Sequence, residues 1–334
     1  MDEEIRMIKS RRSVLRVVRV ALWLAISGAA TGAAAAYPDR PIKLVVAYPP
    51  GGGTDIVARL IAPELSKRLG QPIAVDNRGG ASGNIGTEYA VRSPADGYTL
   101  LMGNVAPNAI NVSIYKKLPY DPQKDLSPIS LVAITPNMLV VNNDVPVKSV
   151  ADLIAYAKSH PGAVNFPSAG QGTSSHLAGE LFNTTANVKM THIPYKGGGA
   201  AMTDLLGGQV QIFFATMPAA IPFVSAGKLR AIAVTSDQRA LALPELPTVS
   251  ESGLPGFSAT TWYGLYAPKG TPAEIVNRLN REVKDILAQP AMRERLIQQG
   301  FEPQGDSPEE FSSFIASEIS KWARVVKAAG VVAE

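Results

Sequence analysis

The chain has 334 residues, 46% of them apolar, and its 32 Lys and Arg against 28 Asp and Glu give a formal charge of +4. Arg6, Lys9, Arg11, Arg12, Arg16 and Arg19 outweigh Asp2, Glu3 and Glu4 at the start, so the rest is nearly neutral and offers no basic surface for nucleic acid. There is no cysteine, which excludes disulfides, a thiol nucleophile and thiolate metal sites.

Residues 1–36 read as an export leader. The basic start is followed by the apolar "VALWLAISGAATGAAAA", which ends in small residues before Tyr37, the order of a signal peptide cut near Ala36. That stretch is too short and too rich in Gly and Ala for a membrane anchor. "SRRSVLR" (Ser10 to Arg16) resembles a twin-arginine signal, although Val14 stands where that pattern prefers Phe. An ordinary Sec leader with a basic start is the alternative. Export without cysteine suits a bacterial periplasm. The remaining chain of about 300 residues is near the length at which one core gives way to two lobes.

From Tyr37 onward, short apolar runs alternate with amphipathic ones. "IKLVVAY" reads as a buried strand, and Asp55 to Leu69 as a helix with apolar residues at helical spacing. "PIAVDN" is a second strand, "GGASGN" opens a helix toward Arg92, and "YTLLMGN" is a third strand. This alternation predicts an α/β fold with a parallel sheet flanked by helices. "ISLVAITPNMLVVN" is long for one strand and contains Pro136, so it reads as two strands meeting at a crossover between lobes. A helix over Val150–Ser159 follows, with Ser149 as its cap and Asp152 three residues on.

Three further strands each run into a Gly, Ser or Thr-rich helix start: "AVNFPSAGQGTSSHLAGELF", "VKMTHIPYKGGGAAMTDLLGG" and "VQIFFATMPAA". "LRAIAVTS" is another strand, and a proline-rich loop follows it. Two punctuated helices close the chain, one announced by Thr271, Pro272 and Glu274, the other by Ser307, Pro308 and Glu310. In the last, Phe311, Phe314, Ile315, Trp322, Val325 and Val326 form one stripe that packs on a lobe.

The glycine loops suggest an anion site and limit its kind. "VVAYPPGGGTDIVARL" is a strand, a glycine turn and a helix start, an arrangement that presents free amides to an anion. It has no P-loop lysine, and Asp55 would repel a phosphate; Ile56 occupies the third-glycine place of the dinucleotide pattern. A singly charged carboxylate fits better. The junctions near Gly51, Gly170 and Gly197, with the hydroxyls of Thr54, Ser168 and Thr173, are expected to converge across a cleft at the carboxyl ends of strands. "GQGTSSH" also sets Ser174 and Ser175 beside His176, but His176 stands where the G-x-S-x-G elbow needs glycine. His160, His176 and His192 are scattered, so no metal or other cofactor is expected.

The ordered segments "YPDRPIKLVVAYPPGGGTDIVARL", "GTSSHLAGELF", "HIPYKGGGAAMTDLLGGQVQIFF", "GKLRAIAVTS", "LPTVSESGLPGF" and "WYGLYAPKGTP" resemble Bug-type (TctC) extracytoplasmic solute receptors. The resemblance spans essentially all of the chain after Ala36. It implies a two-lobed periplasmic binding protein of the type II kind, each lobe a mainly parallel sheet flanked by helices. The first lobe would be residues 37–137 plus 260–334, and the second 138–259. It also implies a carboxylate held partly through backbone groups and water, with Tyr48, Gly52, Thr54 and Asp55 on one wall and Ser168, Gly170, Thr173 and His176 on the other. Asn104, Tyr195, Asp204 and Thr216 are candidates at the outer end. Tyr48 stands where many relatives carry Phe.

The expected function is a monomeric, non-enzymatic periplasmic receptor that closes on a small carboxylate and delivers it, through transient contacts, to integral-membrane transporter subunits. Absence of arginine in the loops suits a ligand that must be released. A sensor for a signalling system is an alternative, as is a serine hydrolase built on Ser174 or Ser175 with His176.

Overall fold

Ile42–Val46 (β1) is apolar everywhere but Lys43, and the strand lies between β2 (Ile73–Asn77) and β3 (Thr99–Asn104), parallel to both. The computed structural model describes residues 37–331, and its main unit begins at Arg40; the expected leader lies outside the described residues. Helix α1 (Gly53–Leu69) follows β1 and ends on Gly70, which adopts the left-handed φ of 74° that a helix stop requires. The residues "GGASG" form a turn in which Gly80, Ala81, Ser82 and Gly83 all have positive φ, and α2 (Asn84–Val91) starts from it. After β3 comes a wide π turn, then the short α3 (Asn111–Ile114).

Strand β4 (Leu126–Asn142) is one continuous strand of 17 residues, not the two expected. Its first part runs antiparallel to β9 (Thr260–Pro268) and β10 (Glu302–Pro303). From Asn137 onward its partners are β7 (Ile212–Thr216) and β8 (Leu229–Val234). Pro136 sits at the change of partners: it is the last residue paired with β9, opposite Thr260, and the β7 pairing begins at Asn137. The missing N–H therefore falls at the end of one ladder, just before the next begins, where a proline is tolerated inside the strand.

The second half of β4 is buried on both faces. Leu139 and Val141 face one core with Phe166, Phe182 and Phe214, while Met138 and Val140 face another with Met202, Leu205 and Phe213. These cores are covered by α4 (Val150–Ser159), α5 (Ser174–Ala186), α6 (Gly198–Leu206) and α7 (Met217–Ser225). Strands β5 (Asn165–Ser168) and β6 (Thr191–Pro194) pair in parallel beside them. The molecule is thus two α/β lobes threaded on β4. Parallel pairing holds for β1–β2, β1–β3 and β5–β6, but β9 is antiparallel to β3 and every neighbour of β4 is antiparallel to it, so neither lobe's sheet is parallel throughout.

The closing helices are α8 (Ala273–Ala288), α9 (Pro290–Gln298) and α10 (Pro308–Ala329). Ser307 and Glu310 form the expected capping box, with the Ser307 amide donating to Glu310 Oε2 at 2.8 Å, and Ser149 caps α4 through the Asp152 amide. Thr271 does not cap α8. Its hydroxyl donates to the Pro268 carbonyl at 2.8 Å, and the helix begins one residue later than the sequence suggests, after Pro272. The α10 stripe packs as expected: Phe311, Ile315, Trp322 and Val326 are buried against Trp262 and Tyr266 of β9.

Candidate functional site

The strand-to-helix junctions place helix starts around one cavity. Gly53 and Thr54 open α1, Ser174 and Ser175 open α5, Gly198 opens α6, and Thr216 with Ala219 brings in the first turn of α7. None of these four helices has a side-chain cap, in contrast to α4 and α10, whose serines close them. The first amides of α1, α5 and α6 therefore keep their donors, as do those of Met217 and Ala219 in α7, where Pro218 has none, and the helix dipoles add partial positive charge on the same space. The cavity is small, about 40 Å³, and no charged side chain lines it.

Its hydroxyls and amides are arranged with defined donors. Asn104 Nδ2 donates to Thr54 Oγ1 at 3.0 Å, so the Thr54 O–H is left to donate to a ligand. Asn104 Oδ1 accepts from the Ala106 amide at 3.1 Å, which fixes the orientation of its side chain. Thr173 Oγ1 donates to the Gly170 carbonyl at 2.6 Å and meets Ser175 Oγ at 3.0 Å, which in turn accepts from the Ala169 amide at 3.1 Å. Tyr263, on β9, has a buried hydroxyl with no partner, directed at the start of α1. Burial pushes its pKa and that of Tyr48 well up, so both phenols remain protonated donors.

Tyr48 separates this cavity from a second chamber of about 280 Å³, toward the mouth of the cleft. Its hydroxyl donates to the Ser82 carbonyl at 2.9 Å. Across the cleft, Ser82 Oγ donates to the Gln171 carbonyl at 2.5 Å. Gly170, at φ 136°, lies so close that a Cβ there would sit 2.7 Å from Ser82 Oγ. Leu177 of α5 joins the cluster that holds Tyr48, Ile110 and Ile114. The lobes are in contact at the cleft.

Among the residues singled out from sequence, Tyr48, Gly52, Thr54, Asn104, Thr173 and Thr216 line the inner cavity, while Gly170 and Tyr195 line the outer chamber. Four others stand behind these walls. Asp55 accepts from the Gly51 amide at 3.1 Å and from Arg59 and Asn77 at 2.9 Å each. Burial opposes its charge, but those donors outweigh it and hold the carboxyl below the usual range. Asp55 thus braces the glycine turn instead of facing a ligand. Asp204 accepts from the Tyr195 hydroxyl at 2.6 Å; burial and the neighbouring carboxylate push that phenol up to about 12.

Ser168 and His176 belong to a buried polar support under the Gly170–Thr173 loop. His176 Nδ1 accepts from the Gly172 amide at 3.0 Å, and its ring stacks on His192 with centroids 3.8 Å apart. His192 Nε2 lies 2.7 Å from Ser168 Oγ, which bonds to the Gly170 carbonyl at 3.0 Å. This geometry counts against the hydrolase reading. His176 bonds to neither Ser174 nor Ser175, and Ser174 Oγ donates to Asn137 Oδ1 at 3.3 Å. The paired Ser168 is fully buried and lines neither chamber. No group of His, Asp and Glu suited to a metal ion occurs among the described residues.

Burial lowers the His176 pKa to about 4, and burial together with the adjacent His176 lowers that of His192 to about 3. Unfolded, both would titrate near about 6.5. The unfolded chain then binds more protons between these values, so the pair's contribution to stability is complete above about pH 6.5 and is lost as pH falls toward 4. Thermal unfolding at pH 7.5, 5.5 and 4.5 is expected to show this decline. His176→Asn, which keeps an acceptor for Gly172 but does not titrate, is expected to flatten it; an equally steep decline would remove His176 as its source.

Sequence reasoning did not assign Gly53, Ser174, Ser175, Gly198, Thr261 or Tyr263 to the inner wall, and named the two serines only in the hydrolase alternative. The run of hydroxyls in "GTSSH" was a usable signal for Ser174. Tyr263 gave none, because its strand lies far along the chain and reads only as apolar core.

The chain is similar in sequence and fold to known proteins. The family model described as "Tripartite tricarboxylate transporter family receptor" matches residues 57–331. Protein BugT of Bordetella pertussis is 42% identical over 313 residues, covering 93% of this chain and 96% of BugT. The structure of R. palustris Rpa4515 with adipate has a TM-score of 0.87 at 40% identity, over 89% of this chain and 99% of that one. MatC (Rpa3494) from Rhodopseudomonas palustris with bound malate has a TM-score of 0.82 at 35% identity, over 87% of this chain and 100% of MatC.

Proposed function

The chain belongs to the Bug/TctC receptors of tripartite tricarboxylate transporters, a family of periplasmic solute-binding proteins, and on that premise we propose that it closes two lobes over a small organic carboxylate. The observation that carries this reading is the meeting of four uncapped helix starts at a cavity with no charged side chain. Orphan amides and helix dipoles favour one negative charge, and a carboxylate is an anion that small glycine-walled space can admit. The adipate bound by Rpa4515 and the malate bound by MatC support the same ligand class. A wall of neutral donors also holds an anion more loosely than an arginine fork, which suits release.

In this reading residues 37–137 and 260–334 form one lobe and 138–259 the other, and the hinge bends where β4 changes partners at Pro136 and Asn137. The protein is exported by a cleaved leader, acts as a monomer without catalysis, and passes its ligand to integral-membrane subunits through a transient interface.

The test is a titration of the refolded chain with adipate, malate, succinate, citrate and benzoate. Thr54→Ala removes a cavity hydroxyl whose proton is free beside Asn104, and is expected to weaken the best acid by about tenfold or more, the worth of a hydrogen bond to a charged group. Thr173→Ala loosens the opposite loop and is expected to weaken the same acid. Unchanged affinity in both variants would remove the cavity as the site.

A further inference from the structure

Ser82 stands on one side of the cleft and Gln171 on the other, and the Ser82 hydroxyl donates to the Gln171 carbonyl at 2.5 Å. Each side of this bond is built by its own lobe. Ala81 and Ser82 have φ of 45° and 53°, the left-handed region that residues other than glycine rarely adopt. The Ser82 carbonyl is fixed there by the Tyr48 hydroxyl at 2.9 Å and by Asn111 Nδ2 at 3.3 Å. Backbone strain of this kind persists only where surrounding contacts over-determine it. Here it leaves the serine side chain directed at the opposite loop.

That loop is shaped to receive it. Gly170 has φ 136°, and a Cβ there would lie 2.7 Å from Ser82 Oγ, so a glycine is what lets the hydroxyl reach the neighbouring carbonyl. The loop is braced from behind: the Gly170 carbonyl accepts from Ser168 at 3.0 Å and from Thr173 at 2.6 Å, and the Gly172 amide donates to His176 at 3.0 Å. None of those braces crosses the cleft. Parting the lobes would therefore break the Ser82–Gln171 bond and leave both turns as they are. The Ser82 hydroxyl has one proton, and Gln171 takes it, so this side chain is no donor to a ligand in the adjoining chamber.

We propose that Ser82 is a latch, whose bond to Gln171 holds the lobes together over the ligand and sets how long the ligand is kept. This rests on the two-lobe carboxylate reading above and adds to it the contact that governs release. A bond made only once the lobes have met slows departure without slowing arrival, so its removal appears in the dissociation rate. It also acts on the lobes and not on the ligand, so the factor is the same for every acid.

Stopped-flow titration of the refolded chain with adipate and with malate is the test. Ser82→Gly removes the hydroxyl and suits the left-handed backbone, so the free protein is expected to melt within about 3 °C of the unaltered chain. Dissociation of both acids is expected to quicken by about three- to tenfold, the worth of one hydrogen bond, while association stays within about twofold. Ser82→Ala is expected to match it. Quickening for one acid alone would overturn the latch, because it would place Ser82 against the ligand's body. Slower association with unchanged dissociation would overturn it too.

The chain has no cysteine, so spin labels can be set at Lys117→Cys and Lys189→Cys, both exposed and one on each lobe. Without any acid, the share of longer distances between the labels is expected to rise in Ser82→Gly. Unchanged dissociation with unchanged distances would overturn the latch and leave the carboxylate reading in place. Binding of neither acid would remove the carboxylate reading, and the distances alone would then decide the latch.

Discussion

Replacing Gly53 with alanine is expected to lower the unfolding temperature by about 5–10 °C and to weaken ligand binding on the order of a hundredfold. Gly53 is the first residue of α1, where alanine suits the backbone well. The obstacle is Tyr263. A Cβ on Gly53 would overlap the Tyr263 hydroxyl and lie 3.0 Å from the ring carbon that bears it, with Thr216 Oγ1 at 3.2 Å. The ring cannot swing aside, because it is buried edge-on against Phe301 at 5.6 Å. The strain then falls on the cavity wall itself. Gly53→Ala with Tyr263→Phe removes the overlapping oxygen, and is expected to recover more than half of the lost thermal stability while affinity stays low. If the double variant melts no higher than Gly53→Ala alone, the steric account fails.

The second large effect belongs to Glu318 on α10. Its Oε2 accepts from two buried indoles, Trp262 Nε1 at 3.0 Å and Trp322 Nε1 at 2.9 Å, while Oε1 meets Lys321 Nζ at 3.1 Å. This one carboxylate ties α10 to β9. Glu318→Ala leaves both indole N–H groups buried without an acceptor and is expected to cost about 3–5 kcal/mol, roughly 10 °C in unfolding temperature. Glu318→Gln retains an oxygen placed to serve both indoles, so its cost is expected to be less than half. Scanning calorimetry of the two variants checks this; equal losses would show that the charge, not the shared acceptor, holds the helix.

Much of the architecture was legible because it rests on local rules. The apolar run of β1, the glycine stop after Leu69 and the serine caps at Ser149 and Ser307 each follow from nearby residues. The single length of β4 was not legible, since whether Pro136 breaks a strand depends on what lies beside it, and its neighbours come from Thr216 and Thr260. The same limit governs the cleft. Sequence placed Thr54 and Thr173 beside helix starts, and the resemblance put Thr216 and Asn104 at the outer end of the cleft; all four line the one inner cavity. It could not tell an acid that faces the cavity from one that braces the turn behind it. Asp55 and Asp204 are both braces, and the difference depends on Arg59, Asn77 and Tyr195. The His176–His192 stack joins residues from a helix and a strand and leaves no local trace.

The uninterrupted run of β4 also bears on how the molecule loses its order. Its first half pairs with β9 and β10, its second with β7 and β8, and both halves are buried. A lobe that melted alone would strip the other of a central strand and expose that strand's apolar faces to water. The free-energy cost of such a half-unfolded state is close to that of unfolding the whole, so it is scarcely populated. Two lobes that share one central strand thus behave, toward heat and denaturant, as one cooperative unit.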